Sequence, residues 1–243
     1  MSIKVSTEDG VLSLTLDRPD KKNALNKQMY QQLVQQLQQA AQDDAVKVVL
    51  LQGSAECFSS GNDLADFLQS GELNDTHPTV MFLYEMAKFP KPVVAAVAGL
   101  AIGIGTTVLL HCDLVYSTAD CRFQLPFTQL GLCPEAGSSL LLPLLIGHQR
   151  ASSLLLLSEA IDGNEAWRIG LVNQLVAKEE VLEFALNKAR KLAALPTDAV
   201  QSSKRLMKAG GAVQQTIALE LVDFSRLLQG PDCQKVIQQF FRG

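Results

Sequence analysis

Positive charge is scarce in this chain. Lys and Arg number 21 against 25 Asp and Glu, for a net charge of −4. No basic cluster stands out, so the electrostatic footprint of a nucleic-acid binder is missing, as is the polybasic patch that an anionic membrane surface attracts. An isolated lysine remains free to meet a single phosphate. The three histidines, His77, His111 and His148, are scattered without H-x-x-x-H or carboxylate spacing, which excludes a recognisable metal site. The five cysteines are odd in number and form no C-x-x-C pair. That excludes a disulfide framework and fits reduced thiols in a cytoplasmic protein. The richest apolar run, Leu140 to Ile146, is short and broken by Pro143, so no membrane span is expected. The opening MSIKVSTEDG has no apolar core of the kind a secretory signal carries, and FFRG is not a peroxisomal tripeptide. No repeat of fixed period is visible.

What the chain does have is alternation of strand and helix patterns over its first two thirds and helical patterns thereafter. Val11 to Leu16 sets Leu12, Leu14 and Leu16 against Ser13 and Thr15, a half-buried strand. Asn26 is placed to cap a helix whose apolar stripe is Met29, Tyr30, Leu33, Val34, Leu37 and Ala41. Val46 to Leu51 is apolar throughout and reads as a strand covered on both faces. Gln52 to Asp66 is loop chemistry ending in a short helix. Asp66 to Pro78 has little pattern and reads as a mobile surface segment. A helix over Thr79 to Lys88 (stripe Val80, Leu83, Ala87) stops before Pro90 and Pro92. Val93 to Ala98 is a buried strand, Gly105 to Cys112 an apolar helix and Leu114 to Ser117 a strand. Phe123 and Leu130 to Leu132 read as short strand pieces. Pro134 to Leu145 is predicted helical with Pro134 at the first position and Gly147 as its stop. Ala151 to Leu157 is a further helix, and Asp162 to Val172 a turn, a short helix and a stop at Gly170. Helices follow over residues 180–194, 197–208, 212–228 and 232–241. Composition shifts near Pro196 without a sharp boundary.

Three places carry candidate chemistry. Gly99 to Thr107 spaces glycines at a strand-to-helix junction, where backbone N–H groups can approach a ligand. It is not G-x-G-x-x-G and no ribose partner follows, which argues against a dinucleotide. On its glycines alone a plain tight turn is the better reading. Ser59 to Leu64, SSGNDL, is a second Gly-bearing loop before a helix. Two N–H groups converging from these loops would form an oxyanion hole, while a surface turn with Asn62 as a helix cap fits the spacing equally. Glu135 is the informative carboxylate. As an early helical residue it gains from the helix dipole, whereas an apolar pocket pushes its pKa up, and a carboxylate between those effects suits a general base. A first-turn acid stabilising its own helix is the simpler reading of Glu135 alone. His111 reads as a satisfied core histidine. Ser138 and Ser139 read as small residues in a crowded turn, since no G-x-S-x-G elbow is present. Trp167 reads as packing, and Phe224, Phe240 and Phe241 as core, interface or a pocket wall.

Taken together these segments resemble the crotonase, or enoyl-CoA hydratase/isomerase, superfamily over almost the whole chain. The matching stretches are LDRPDKKNALN (Leu16 to Asn26), CFSSGNDLADF (Cys57 to Phe67), KPVVAAVAGLAIGIG (Lys91 to Gly105), CDLVYSTADCRF (Cys112 to Phe123), LGLCPEAGSS (Leu130 to Ser139) and IDGNEAWRIGLV (Ile161 to Val172). The resemblance implies an α/β fold: a spiral of ββα units over residues 1–195 and a C-terminal helical trimerisation region over 196–243. It implies an oxyanion hole from the N–H groups of Asn62 and Ile104 and an acyl-CoA substrate lying along Lys22, Ala24, Leu25, Ser60, Gly61, Asp63 and Leu64. Lys21 or Lys22 would meet a phosphate, though a solvated charge fits those lysines as well. The two glutamates of the hydratases are absent, since Thr107 and Phe127 stand at their positions. The remaining carboxylate, Glu135, is where the peroxisomal-type Δ3,Δ2-enoyl-CoA isomerases carry their base. The implied activity is one-base migration of a double bond in fatty acid β-oxidation, with no cofactor beyond the coenzyme A of the substrate, no metal, and a homotrimer or dimer of trimers. Another crotonase-type reaction on an acyl-CoA (hydrolysis, decarboxylation or ring isomerisation) and a non-catalytic acyl-CoA-binding module remain as alternatives.

Overall fold

A computed structural model describes residues 2–68, 73–208 and 211–241, without the side chains of Phe67, Leu68 and Phe240. Six strands form the main sheet: β1 (Ile3–Glu8), β2 (Val11–Leu16), β3 (Val48–Gln52), β4 (Val93–Val97), β6 (Leu114–Ser117) and β8 (Gln174–Leu175), hydrogen-bonded in the order β1-β2-β3-β4-β6-β8. Between β4 and β6 in the chain comes β5 (Leu100–Ile102), which pairs in parallel with β7 (Arg122–Gln124) as a small second sheet. β1 and β2 are antiparallel across Asp9 and Gly10, whose φ values of 51° and 75° make the two-residue turn that strand twist favours. The other pairings are parallel.

The strands run apolar on both faces because both are covered. Leu12, Leu14, Val49, Leu51, Val93, Ala95 and Val97 enter the main core with Met29, Tyr30, Leu33 and Leu37 of α1 (Lys27–Gln42) and Val80, Leu83 and Met86 of α3 (Pro78–Lys88). Val11, Val48, Leu50, Val94 and Ala96 point the other way, onto Val181, Ala185 and Ala189 of α8 (Val181–Ala193). These three small or β-branched residues at i, i+4 and i+8 let the helix lie close on the sheet. Asn26 caps α1 by accepting from the Met29 N–H at 2.9 Å. Its stripe closes on Ala40 rather than Ala41.

The remaining helices are α2 (Leu64–Leu68), α4 (Ile104–Thr107), α5 (Ser138–Ile146), α6 (His148–Leu156), α7 (Gly163–Arg168), α9 (Thr197–Met207), α10 (Ala212–Leu228) and α11 (Pro231–Phe240). α10 returns to pack on α3 and α5. α9 is tied down by Lys204, whose buried Nζ donates to the Lys91 carbonyl at 2.6 Å and to Asp113 at 2.7 Å.

Several expectations are corrected. The predicted helix over Gly105 to Cys112 is a single turn of α4 followed by a 3-10 turn over Val108–His111. Leu130 to Leu132 is no strand: Thr128–Leu130 is a 3-10 turn ended by left-handed Gly131. The segment read as mobile surface is partly core, because Leu73 and His77 are buried and Pro78 opens α3; its residues 69–72 lie outside the described residues. Trp167 is 55% exposed and so is not packing, Phe224 is buried and Phe241 exposed. Most important for the site, α5 begins at Ser138, not at Pro134. Ala136 and Gly137 adopt φ values of 60° and 70°, left-handed conformations that cannot continue a right-handed helix, so Glu135 sits in a turn before it. Among the described residues no helix is long and apolar enough to cross a membrane.

Candidate active site

Three backbone segments run side by side at the C-terminal ends of β3 and β4. The loop after β3 lies along β5, with Ser59 N–H donating to the Leu100 carbonyl at 2.9 Å and Ile102 N–H to the Ser59 carbonyl at 3.0 Å. Its other edge meets the loop after β2: Leu25 N–H donates to Gly61 O and Asp63 N–H to Leu25 O, both at 2.8 Å, and Ser60 N–H to Lys22 O at 2.9 Å. Ser59 pairs with Ala101 in parallel, and three residues further along both segments are Asn62 and Ile104. Among the described residues neither the Asn62 nor the Ile104 N–H finds an acceptor in the chain. Gly61, at φ 99°, makes this approach possible, since a Cβ there would lie 2.9 Å from the Ile102 oxygen.

The Asn62 side chain is fixed by α1. Its Oδ1 accepts from the Tyr30 hydroxyl at 2.5 Å, and Tyr30 is itself buried against Phe82. Asn62 is therefore not the cap of α2; Asp63 is, accepting from the Ala65 and Asp66 N–H groups. Asp63 also pairs with Arg18 at 2.7 Å, which holds its carboxyl below the usual range against the upward push of burial. Its side chain serves the scaffold. Of the other residues expected along a bound coenzyme, Ala24 and Leu25 are buried, Lys22 is an exposed residue at φ 48°, Ser60 donates its hydroxyl to Lys21 O, and Leu64 begins α2. The fold brings these residues together as one lip beside Asn62.

Glu135 comes from the turn before α5, close enough for its charge to be felt by Tyr30, whose hydroxyl donates to Asn62. It is only 4% exposed. Thr107, one helical turn after Ile104 and fully buried, donates its hydroxyl to Glu135 Oε1 at 2.5 Å. Burial pushes the Glu135 pKa up to about 8; the Thr107 hydrogen bond opposes this, and the nearby Glu220 carboxylate adds to it. The helix-dipole contribution expected from an early helical position does not arise, because Glu135 precedes the helix. The turn is held on all sides. Ser138 Oγ–H donates to the Glu135 carbonyl at 2.6 Å. His111, whose pKa burial lowers to about 4, is neutral and donates from Nε2 to the Ala136 carbonyl at 2.7 Å. Phe127, at the second hydratase glutamate position, is a buried apolar side chain. Among the described residues no cluster of His, Cys, Asp or Glu is placed to hold a metal ion.

Reading the sequence missed Tyr30 as a site residue, because it sits in a helical stripe whose spacing says only core. It also missed Glu220. There the signal was a carboxylate at the i+3 position between Ile217 and Phe224, on the buried face of α10.

The sequence profile of the enoyl-CoA hydratase/isomerase family matches residues 6–242. The 2,3-dehydroadipyl-CoA hydratase of Escherichia coli K12 is 35% identical, over 98% of this chain and 94% of that protein. Enoyl-CoA delta isomerase 2 of Rattus norvegicus is also 35% identical, over 85% of this chain but only 54% of the rat protein. The solved structure of Pseudomonas aeruginosa OdaA superposes with a TM-score of 0.97 at 44% identity, covering 100% of this chain and 99% of that one. The enoyl-CoA hydratase/isomerase structure from Pseudoalteromonas atlantica T6c gives 0.96 at 39% identity, with coverage of 100% and 97%. Agreement of this extent takes in the paired loops, the turn of Glu135 and the C-terminal helices alike, and this chain belongs to the enoyl-CoA hydratase/isomerase family.

Proposed function

We propose that this protein moves the double bond of a 3-enoyl-CoA to give the trans-2-enoyl-CoA, with Glu135 as the single acid/base group. The observation that carries the reading is the buried Glu135 carboxyl hydrogen-bonded to Thr107, at a position where a hydratase would place another glutamate. The thioester oxygen is held by the N–H groups of Asn62 and Ile104. The ionised Glu135 removes a proton from C2, and the electron pair spreads over C2 to C4 and the thioester oxygen as a dienolate. The same proton is then delivered to C4, leaving the double bond between C2 and C3. Losing one oxyanion donor in such a site typically costs about 100- to 1,000-fold in rate. The reaction consumes no water, and the buried Phe127 suits that, because it offers no group to orient one. A base near neutrality is efficient when its pKa lies close to working pH, which a value of about 8 satisfies.

The coenzyme part of the substrate is placed along Lys22, Ala24, Leu25 and Ser60 to Leu64, as cargo and not as a resident cofactor. A role in fatty acid β-oxidation and assembly into trimers or dimers of trimers belong to the same reading. Leu144, Leu157 and Met207, exposed at 75%, 65% and 76%, offer apolar surface for self-association. A second reading, isomerisation of a ring substrate, is favoured by 37% identity to the 1,2-epoxyphenylacetyl-CoA isomerase of Escherichia coli K12. A panel of acyl-CoA esters separates the two. Conversion of a 3-enoyl-CoA without hydration of the product, abolished by Glu135→Gln in a protein that still folds, is the expected result. Full activity of that variant would remove Glu135 from the role.

A further inference from the structure

Glu220 lies on α10, more than eighty positions from the turn of Glu135, yet its carboxylate ends among that turn's donors. Oε2 accepts from the Gly137 N–H at 2.6 Å. Oε1 accepts from the Ser139 N–H at 2.9 Å and from the Ser139 hydroxyl at 2.5 Å. Gly137 is the cap residue of α5 and has no side chain to satisfy the first amides, so a carboxylate from another helix does so. Burial raises the Glu220 pKa above the ordinary carboxylate value, and the bonds from Ser139 and Gly137 pull it back, because three donors aimed at two oxygens favour the ionised form. Glu220 is 8% exposed and makes no ion pair among the described residues. A local serine, threonine or aspartate would cap α5 at less desolvation cost. What the remote carboxylate adds is the coupling of α10 to the turn and a negative charge near Glu135.

We propose that Glu220 is a positioning residue for Glu135: through its three acceptor bonds α10 sets the conformation of the 134–137 turn and places a second negative charge behind the base. The inference rests on the function proposed for Glu135 and deepens it. The strained Ala136, at φ 60°, is clamped from one side by His111 and from the other by Glu220 acting on Gly137. The charge opposes ionisation of Glu135, in the direction the pKa of that group takes. The other groups that share this environment are Tyr30, which is raised in part by Glu135, and Cys133, which feels Asp223, Glu220 and Arg226. His111 is neutral near pH 7.

The test compares wild type with Glu220→Gln, which keeps the shape and removes the charge and one acceptor. Two quantities are read: steady-state isomerisation of a 3-enoyl-CoA, and the titration of the Glu135 carboxyl by carbon NMR of labelled glutamate, assigned with Glu135→Gln. Loss of alignment at a reacting group costs on the order of 100-fold, so kcat is expected to fall by about that much or somewhat less with KM little changed. The Glu135 midpoint is expected to drop by about one pH unit, as removal of a neighbouring like charge requires. A folded variant with wild-type kcat and an unmoved midpoint overturns the proposal. If the wild type shows no isomerisation, the functional reading fails, and the NMR midpoint alone decides the role of Glu220. Should the Gln variant not fold, Glu220→Asp decides: it keeps the charge but withdraws it from Gly137. Lower kcat with a retained midpoint supports the holding role, and unchanged kcat overturns it.

Discussion

The Thr107 hydroxyl and the Glu135 carboxyl form a buried pair at 2.5 Å, each in the place where a second ionisable group would change the chemistry. Thr107 is the one described group that pulls the Glu135 pKa down. Replacing it with the isosteric valine removes the donor and leaves the carboxyl buried. The Glu135 pKa then rises further above 8, and the acid limb of the rate profile moves to higher pH. An unsatisfied buried polar group also costs about 1–3 kcal/mol. A pH–rate series and a denaturant titration of Thr107→Val check both parts; an unmoved acid limb would show that the hydroxyl does not act on the base.

Glu135 itself sets a pH dependence of stability whose sign follows from its raised pKa. Between the ordinary carboxylate value of 4.5 and about 8 the folded protein holds the proton on Glu135 while the unfolded chain has released it. Stability from this group is therefore fully present below pH 4.5 and is lost as pH rises toward 8, at a slope of roughly 1 kcal/mol per pH unit. Glu135→Gln lacks that loss. The variant is expected to melt progressively higher than wild type as pH goes from 5 to 8, with the difference levelling off above. Thermal melts across that range measure it, and a pH-independent difference would contradict the raised pKa.

How far the sequence foretold this arrangement depends on whether a residue's role is local. Asn26 as a cap, the short helix between Asp162 and Gly170, the buried β3 and β4, and the C-terminal helices all follow from spacing and turn chemistry, and the structure has them where expected to within a few residues. β1 carries exposed residues along most of its length and so offered no apolar alternation to read. The turn at Pro134 to Gly137 failed for a different reason. Proline followed by glutamate and alanine is helical on local preference, whereas the contacts of His111 and Glu220, both distant in the chain, help to hold Ala136 and Gly137 left-handed. The identity of Glu135 as the remaining carboxylate was legible. Its setting was not, because burial and tertiary hydrogen bonds created it.

Lys204 joins α9 to the sheet and is the third place where a single change should tell. Its Nζ is nearly fully buried between the Lys91 carbonyl and Asp113, and desolvation lowers its pKa to about 8. Removing one member of a buried pair typically costs about 3–5 kcal/mol, because the other is left without compensation. Here Lys208, whose Nζ lies 3.8 Å from Asp113, partly compensates. Lys204→Met is expected to lose about 3 kcal/mol in urea unfolding, while Lys208→Met loses clearly less. Equal losses would mean that the two lysines share the aspartate evenly.

Gly61 offers a test of the oxyanion geometry that leaves every polar side chain in place. It sits at φ 99°, where an L residue is strained, and an alanine Cβ would come within 2.9 Å of the Ile102 oxygen. Because that oxygen is backbone, it cannot swing aside as a flexible side chain would. The loop carrying Asn62 must then move away from the segment carrying Ile104, and the two N–H groups proposed to hold the thioester oxygen separate. Strain of this kind costs about 1–3 kcal/mol of stability, and misplacing a positioned group costs on the order of 100-fold in rate. For Gly61→Ala the loss should appear in kcat, since in the proposed reaction the donors act on the charge that develops in the transition state. The midpoint of Glu135 should stay where it is, because neither Thr107 nor Glu220 is disturbed. Steady-state kinetics together with the carboxyl titration separate this from damage to the base: a shifted midpoint would place the fault at Glu135, and an unchanged kcat would remove the Asn62 and Ile104 amides from the mechanism.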